Sequence, residues 1–513
     1  MVFEALKRGS VAFAAAFVLA TQAVFAQPVA SPPPPPAPPP PPAASPAPGS
    51  PTASPAPTAT PPLPAAGVIP PAIGLNVTGS PADGYFLYTQ ILAALDRQIR
   101  PTLRPGASVR YGPIAPWPLA SLPAGSRAAA NVGVTIAGDG ASSWVSGVTN
   151  VTLTNVVTPP TKPSVLFFSD DPEYVQSDGL ISRGQVDVGQ VARLYYYHAD
   201  VGVPHDLDVV LTATSPARMQ IIGAGAGPDL DVMSVGHTVS RDFLLFRARN
   251  EGAIVDVAPG TPFILRHDLM LHGELLAGAA DVHVLSGGPV TISVVSAPAG
   301  GRPEAYLNGP RLGFDGHNRH GTFDLDGYGA LVGSYTVGGP DAYVKYGATH
   351  PTPHNLEPGD PGHDYGDYGI VHRITFDLQN PTDATQNVYL YEKPLGGPVR
   401  SSFLVDGQLK EVGCARLAQP YWFMTYQLPA HSKSASTTLT LTDGGSFYPI
   451  EFGVSGAMPV PYTPAPGSAD GCSPILASSA HPAASPSAVP TATASTPVVE
   501  SAVTSATPVP LPT

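Results

Sequence analysis

Two stretches of this sequence concentrate imidazole and carboxylate. His350, His354, His363 and His372 fall in one segment with Glu357, Asp360, Asp364 and Asp367, and Asp315, His317, His320, Asp324 and Asp326 form a second group just before it. Such side chains supply the nitrogen and oxygen ligands that Zn, Mn or Ca take. If the two stretches meet at a domain junction, where pockets tend to form, a divalent ion would be held jointly by His317, His320, His354, His363, Asp364 and Asp367. The spacing fits no zinc motif, however. Pro351 and Pro353 deny His350 and His354 the helix that would put both rings on one face, and no His-Glu-x-x-His occurs. The run from Asp324 to Gly329 begins like a calcium loop, but its fifth position is Tyr328 and its twelfth Tyr335, where oxygen ligands are required. The simpler reading is a long solvated connection for the 350–372 stretch, with Gly359, Gly362, Gly366 and Gly369 interspersed, and polar turns for the 315–326 group. On that reading no cofactor is needed.

Other reactive groupings are weaker. Tyr195, Tyr196 and Tyr197, flanked by His198, His205, Asp206 and Asp208, form an aromatic stripe that could stack on sugar rings, although strand aromatics more often serve as core. His267 and His272 with Glu274 sit where a strand gives way to a turn. No Gly-x-Ser-x-Gly marks a serine nucleophile. The glycine-rich run Gly223 to Pro228 lacks a following helical pattern, so it reads as a flexible turn rather than a phosphate cradle.

The elements that must position these groups are mostly strands. One helix is expected over 81–100, from Ser80, Pro81 and Asp83 as start signals and from Leu87, Ile91, Leu95 and Ile99 at helical spacing. Alternation at Val132 to Ile136 and Val151 to Thr154 then predicts strands, and residues 67–162 form a mostly β domain. A second unit, 163–347, carries short apolar runs at Val165 to Phe168, Arg193 to His198, Leu207 to Thr214, Ala253 to Val257, Phe263 to Leu269 and Val290 to Val295, with Gly329 to Val337 as a closing strand. Residues 348–368 are the Gly/Pro/His-rich connection. In the third unit, 369–458, His372, Ile374, Phe376 and Leu378 alternate with polar residues, and the strand count fits an immunoglobulin-like sandwich. The fold class is therefore all-β and multi-domain, with two to three β-sandwich domains and one N-terminal helix.

Composition agrees. The 513 residues include 64 Pro and 53 Gly but only 12% charged residues, a profile of short strands and turns. With 25 Lys and Arg against 38 Asp and Glu the net charge is −13, and no basic cluster offers the footprint that nucleic acid requires. The N-terminus reads as a signal peptide, residues 1–26, with Lys7 and Arg8 before an apolar run and Val24-Phe25-Ala26 at the cut. A Pro-rich linker (27–66) and a Pro/Ser/Thr/Ala tail (459–513) are expected to be disordered. Cys414 and Cys472 make up one disulfide candidate, and no transmembrane segment follows the leader. Together these features predict a secreted or envelope-associated, non-enzymatic protein with a structural or binding role toward an extracellular or envelope component, glycan or protein. The alternatives are an extracellular carbohydrate-active hydrolase and a metal-dependent binding module, both using the His/Asp clusters of 315–372.

Overall fold

The computed structural model describes residues 63–347 and 353–461. The expected leader, nearly all of the Pro-rich linker and of the tail, His350 and Cys472 lie outside the described residues. Among the described residues strand makes up 51% and there are only two α-helices, so this part of the protein is mostly β with several sheets. No helix among the described residues is long and apolar enough to cross a membrane.

The largest sheet has eleven strands. Its path runs through His320–Asp324, Val165–Ser169, Val191–Asp200, Leu275–Gly287, Ala217–Asp229, Gly252–Val257, Ala72–Thr78, Val145–Asn155, Arg127–Ala137 and Ser108–Ala115, with Tyr174–Val175 also paired to Val191–Asp200. The sheet continues across residue 162, where the sequence suggests a boundary, because Ala72–Thr78 pairs with both Gly252–Val257 and Val145–Asn155. Gly223 to Pro228 is not a turn: it lies within the strand Ala217–Asp229 and pairs with Leu275–Gly287.

A four-stranded sheet covers one face, in the order Phe263–Met270, His205–Ala213, Val290–Pro298, Gly179–Val186. Leu207, Val209, Leu211, Ile292 and Val294 from this sheet pack on Leu194, Tyr196, Met219, Leu276 and Val282 from the large one. On the opposite side Tyr195 and Tyr197 join a second core with the helix Val232–Ala248. Strand Val191–Asp200 is consequently buried along its whole length, as strands covered on both faces are. The three tyrosines are core, not a platform for sugars.

Helix α1, Gly84–Ile99, starts later than the Ser80-Pro81 pattern predicts, because Asp83 is the cap and its carboxylate accepts from the Tyr85 amide at 2.9 Å. Leu87, Ile91, Leu95 and Ile99 are buried as their spacing predicts, against Val132, Val134, Ile136, Val151 and Leu153. Helix α2, Val232–Ala248, is capped by Asp231, which accepts from the Ser234 amide at 3.2 Å, and buries Val235, Val239 and Phe243. Gly236 and the β-branched valines and threonine lower its intrinsic helix propensity, so it does not stand out in the sequence. The glycine is needed for contact: a Cβ at 236 would come within 1.8 Å of the Gly444 carbonyl oxygen.

The remaining strands form two five-stranded sheets that share one core. One runs Ala330–Thr336, Val371–Asn380, Ser432–Leu441, Val399–Val405, Gln408–Ala415, and the other Ala342–Tyr346, Ile450–Ser455, Gln386–Pro394, Tyr421–Leu428, Val460–Pro461. Ile374, Phe376, Val388, Leu390, Phe403 and Phe452 fill the space between them. The strand that the sequence assigns to the end of the 163–347 unit pairs here instead, parallel to Val371–Asn380.

One ion pair ties the layers together. Arg193 and Asp281 face each other on adjacent strands and are 2% and 4% exposed, with Nε to Oδ1 at 2.7 Å and Nη2 to Oδ2 at 3.0 Å. Arg193 also donates to the Gly369 carbonyl at 3.0 Å and lies 4.9 Å from the Phe243 ring centroid of α2, while Arg247 of α2 reaches Asp281 at 3.2 Å. Removing the carboxylate would strand a buried guanidinium, so Asp281→Ala should destabilise the fold by about 3–5 kcal/mol. Breaking the exposed Arg218–Asp256 pair with Arg218→Ala should change stability by less than about 1 kcal/mol. Urea unfolding midpoints of the two variants check both values.

Candidate functional site

The two His/Asp groups of the sequence do meet, but in pairwise clamps. His320 is buried, its Nδ1 lies 2.9 Å from Asp171 Oδ2 and its Nε2 lies 2.8 Å from Asp360 Oδ1. The Phe314 ring stacks on it at 3.9 Å. Burial by itself would lower the His320 pKa, yet the hydrogen bonds to Asp171 and Asp360 outweigh it and the pKa is raised. Asp360 moves the other way: burial opposes ionisation, but the Gly362 amide and His320 hold its pKa below the ordinary value. The neighbouring Arg319 pairs with Glu173 and Asp170, Asp171 accepts from the Asp315 amide and Asp315 in turn from the Glu173 amide.

The other proposed ligands scatter. His317 is exposed, 3.3 Å from Asp315, and His354 is exposed, its backbone carbonyl accepting from Asp324. His363 is half-buried and joins the 315–326 group through its amide, which donates to the Asn318 carbonyl. Asp364 and Asp367 are fully buried near His372, whose Nε2 is 3.7 Å from Asp367. Burial, then the Asp367 charge, drives the Asp364 carboxyl well above its usual range, and burial pushes His372 down to about 3. Residues 362–370 are thus largely packed against the protein rather than a solvated connection, since their backbone bonds to Asn318, Arg193 and Thr442. Among the described residues no three His, Cys, Asp or Glu side chains are grouped to hold a metal ion. Of the disulfide candidates, Cys414 is buried on Gln408–Ala415.

Serine and histidine also pair, without access for a substrate. Ser169 Oγ lies 3.0 Å from His198 Nε2 while His198 Nδ1 bonds the Pro172 carbonyl, and both residues are at most 1% exposed. Ser402, His237 and Glu411 follow the order of a nucleophile, base and acid, but the Ser402 to His237 distance is 3.5 Å and Ser402 is fully buried.

A different place offers room. A cavity of about 320 Å³ opens between α1, α2 and the edge strand Phe263–Met270. Tyr85, Thr89, Ala93 and Arg97, four residues apart on α1, form one wall, and Thr238, Asp242 and Phe246 of α2 repeat that spacing on another. Its floor is the Gly223 to Ala226 run with Ala279 and Ala280. Beyond Ile221 the strand Gly252–Val257 no longer pairs with this run, so the sheet is open there. Small side chains keep the floor low, and at Gly278 a Cβ would meet the Tyr196 hydroxyl at 2.4 Å. A register shift between Ile264 and Arg266 breaks the alternation of the edge strand, so Leu265 and Arg266 both line the cavity. The sequence reading missed this site. Its detectable signal was the second stripe of α1, at the same spacing as the apolar one.

No family model and no curated protein matches this chain. Among solved structures, the PBSX exported protein XepA aligns with a TM-score of 0.14 at 10% identity, over 62% of this chain and 92% of that one. Tripeptidyl peptidase 2 aligns with a TM-score of 0.16 at 10% identity over 69% of this chain, which spans only 29% of that enzyme. Lac15 from a marine microbial metagenome aligns at 0.12 and 12% identity, over 64% and 72%. These scores carry no functional argument.

The His320 clamp has a signed pH dependence. A histidine pKa raised by folding contributes stability that is complete below about pH 6.5, its unfolded value, and is lost as pH rises through the folded pKa. His320→Gln should therefore lower the thermal midpoint more at about pH 5.5 than at about pH 8.5. Scanning calorimetry of both proteins at the two pH values checks the difference, and an equal loss at each would refute the charged clamp.

Proposed function

We propose that this is an exported binding protein of the envelope or extracellular space, and that it holds a small organic ligand in the cavity between the two helices. The single observation that supports this is the cavity itself, whose size falls in the range of ligand pockets and whose wall mixes apolar surface with a few polar groups. Export is favoured by the basic start, apolar run and Val24-Phe25-Ala26 of the N-terminus. The immunoglobulin-like assignment of the C-terminal sheets is part of the same proposal. Binding is preferred to hydrolysis because the histidine of the best acid cluster has both ring nitrogens occupied and one ring face stacked.

Filling the cavity tests the reading. Ala93 is half-buried on the α1 wall, so Ala93→Phe should leave the thermal midpoint nearly unchanged and weaken binding of a naphthalene dye by about tenfold or more. Fluorescence titration of wild type and variant reads this. Turnover of chromogenic glycosides or esters by the wild type, lost in His320→Ala, would overturn the binding role.

A further inference from the structure

We infer that the cavity takes an organic anion with an apolar body, its negative group held by Arg97 with help from Arg266 and the Tyr196 hydroxyl. This rests on the cavity being the binding site and adds the class of its ligand.

Charge is the first argument. Arg97 ends the α1 stripe and its guanidinium sits 5.1 Å from the Phe263 ring centroid. It forms no hydrogen bond or salt bridge among the described residues, and its neighbour Asp96 is engaged by Arg100 at 2.8 Å and Tyr111 at 3.3 Å. Burial lowers the Arg97 pKa and the charge of Asp96, itself paired with Arg100, offsets this only in part, as for a cation that has lost water without a hydrogen-bonded counter-ion. The one carboxylate in the lining, Asp242, has both oxygens occupied, by Arg241 at 2.8 Å and the Tyr85 hydroxyl at 2.9 Å. Arg266 is neutralised by Asp268. The cavity therefore carries about one uncompensated positive charge in a chain of net charge −13.

Donors are the second argument. Arg266 spends Nε on Asp268 and Nη2 on the Gly227 carbonyl at 3.0 Å, leaving Nη1 without a partner among the described residues. That Nη1 and the Tyr196 hydroxyl lie 3.1 and 3.3 Å from the point where a Cβ of Gly225 would sit. Burial, partly offset by the Arg266 charge, pushes the Tyr196 hydroxyl up to about 12, so it stays a donor. Gly225 leaves these two donors uncovered. The rest of the lining, including Phe246, Phe263, Leu265, Ile221 and Val255, is apolar and suits a hydrocarbon body. One net charge matches a monoanion better than a phosphate ester or a dicarboxylate.

Two dyes of similar shape separate the ideas: 8-anilinonaphthalene-1-sulfonate, a monoanion, and N-phenyl-1-naphthylamine, its neutral counterpart. Each is titrated into the full chain, with Ala93→Phe as the filled cavity and Arg97→Gln and Arg97→Lys as charge variants, each checked for an unchanged thermal midpoint. The expected result is one-to-one binding of both dyes that Ala93→Phe weakens, with Arg97→Gln weakening the sulfonate about tenfold, the neutral dye less than about threefold, and Arg97→Lys restoring part of the loss. Equal response of the two dyes to Arg97→Gln, or none, overturns the anion assignment while leaving the cavity as a binding site. Indifference of both dyes to Ala93→Phe overturns the cavity reading and the anion assignment with it.

Discussion

The architecture depends on a buried guanidinium that must never lose its carboxylate. Arg193 stands in a strand with no exposed residue, where an unpaired cation would be untenable, and Asp281 opposes it in register on the next strand. The remaining donor of Arg193 takes the Gly369 carbonyl, and its flat face lies over Phe243. One side chain thus ties together the central sheet, α2 and the segment leading into the C-terminal sheets. Because α2 forms a wall of the cavity, the width of that cavity is set partly from the far face of the sheet.

Much of the scaffold was legible. Alternation marks the strands of Arg127–Ala137, Val145–Asn155 and Val371–Asn380, and four-residue spacing marks the buried face of α1, because in each case one face is apolar and the other is not. Pattern fails where both faces are buried or the residues are small. Leu275–Gly287 contains Ala277-Gly278-Ala279-Ala280, which has no apolar period to detect, and Gly223 to Ala226 looks like a turn although long-range pairing makes it a strand. Helix α2 was hidden because its stability comes from packing against the sheets rather than from intrinsic preference.

The site shows the same division. Sequence spacing brought out the histidines and acids of 315–372, and the fold does bring part of the two groups together through His320 and Asp360. What spacing could not reveal is satisfaction: a histidine with two carboxylate partners is a rivet, whereas an arginine without one is an opening. A lone cation on a helix is ordinary in a sequence, so spacing does not single out Arg97. Only its burial beside Phe263, away from free acids, gives it meaning.

The edge strand Phe263–Met270 has a further consequence. It leaves one side of its backbone without a neighbour in the four-stranded sheet, and exposed edges of that kind invite pairing between molecules and fibril growth. Arg266, His267 and Asp268 lie in succession along it, with Arg266 bound to Asp268 and His267 to Asp208. An incoming strand from another copy would have to dehydrate these ionisable groups before gaining a single ladder bond, so Arg266, which also lines the cavity, raises the cost of pairing at this edge.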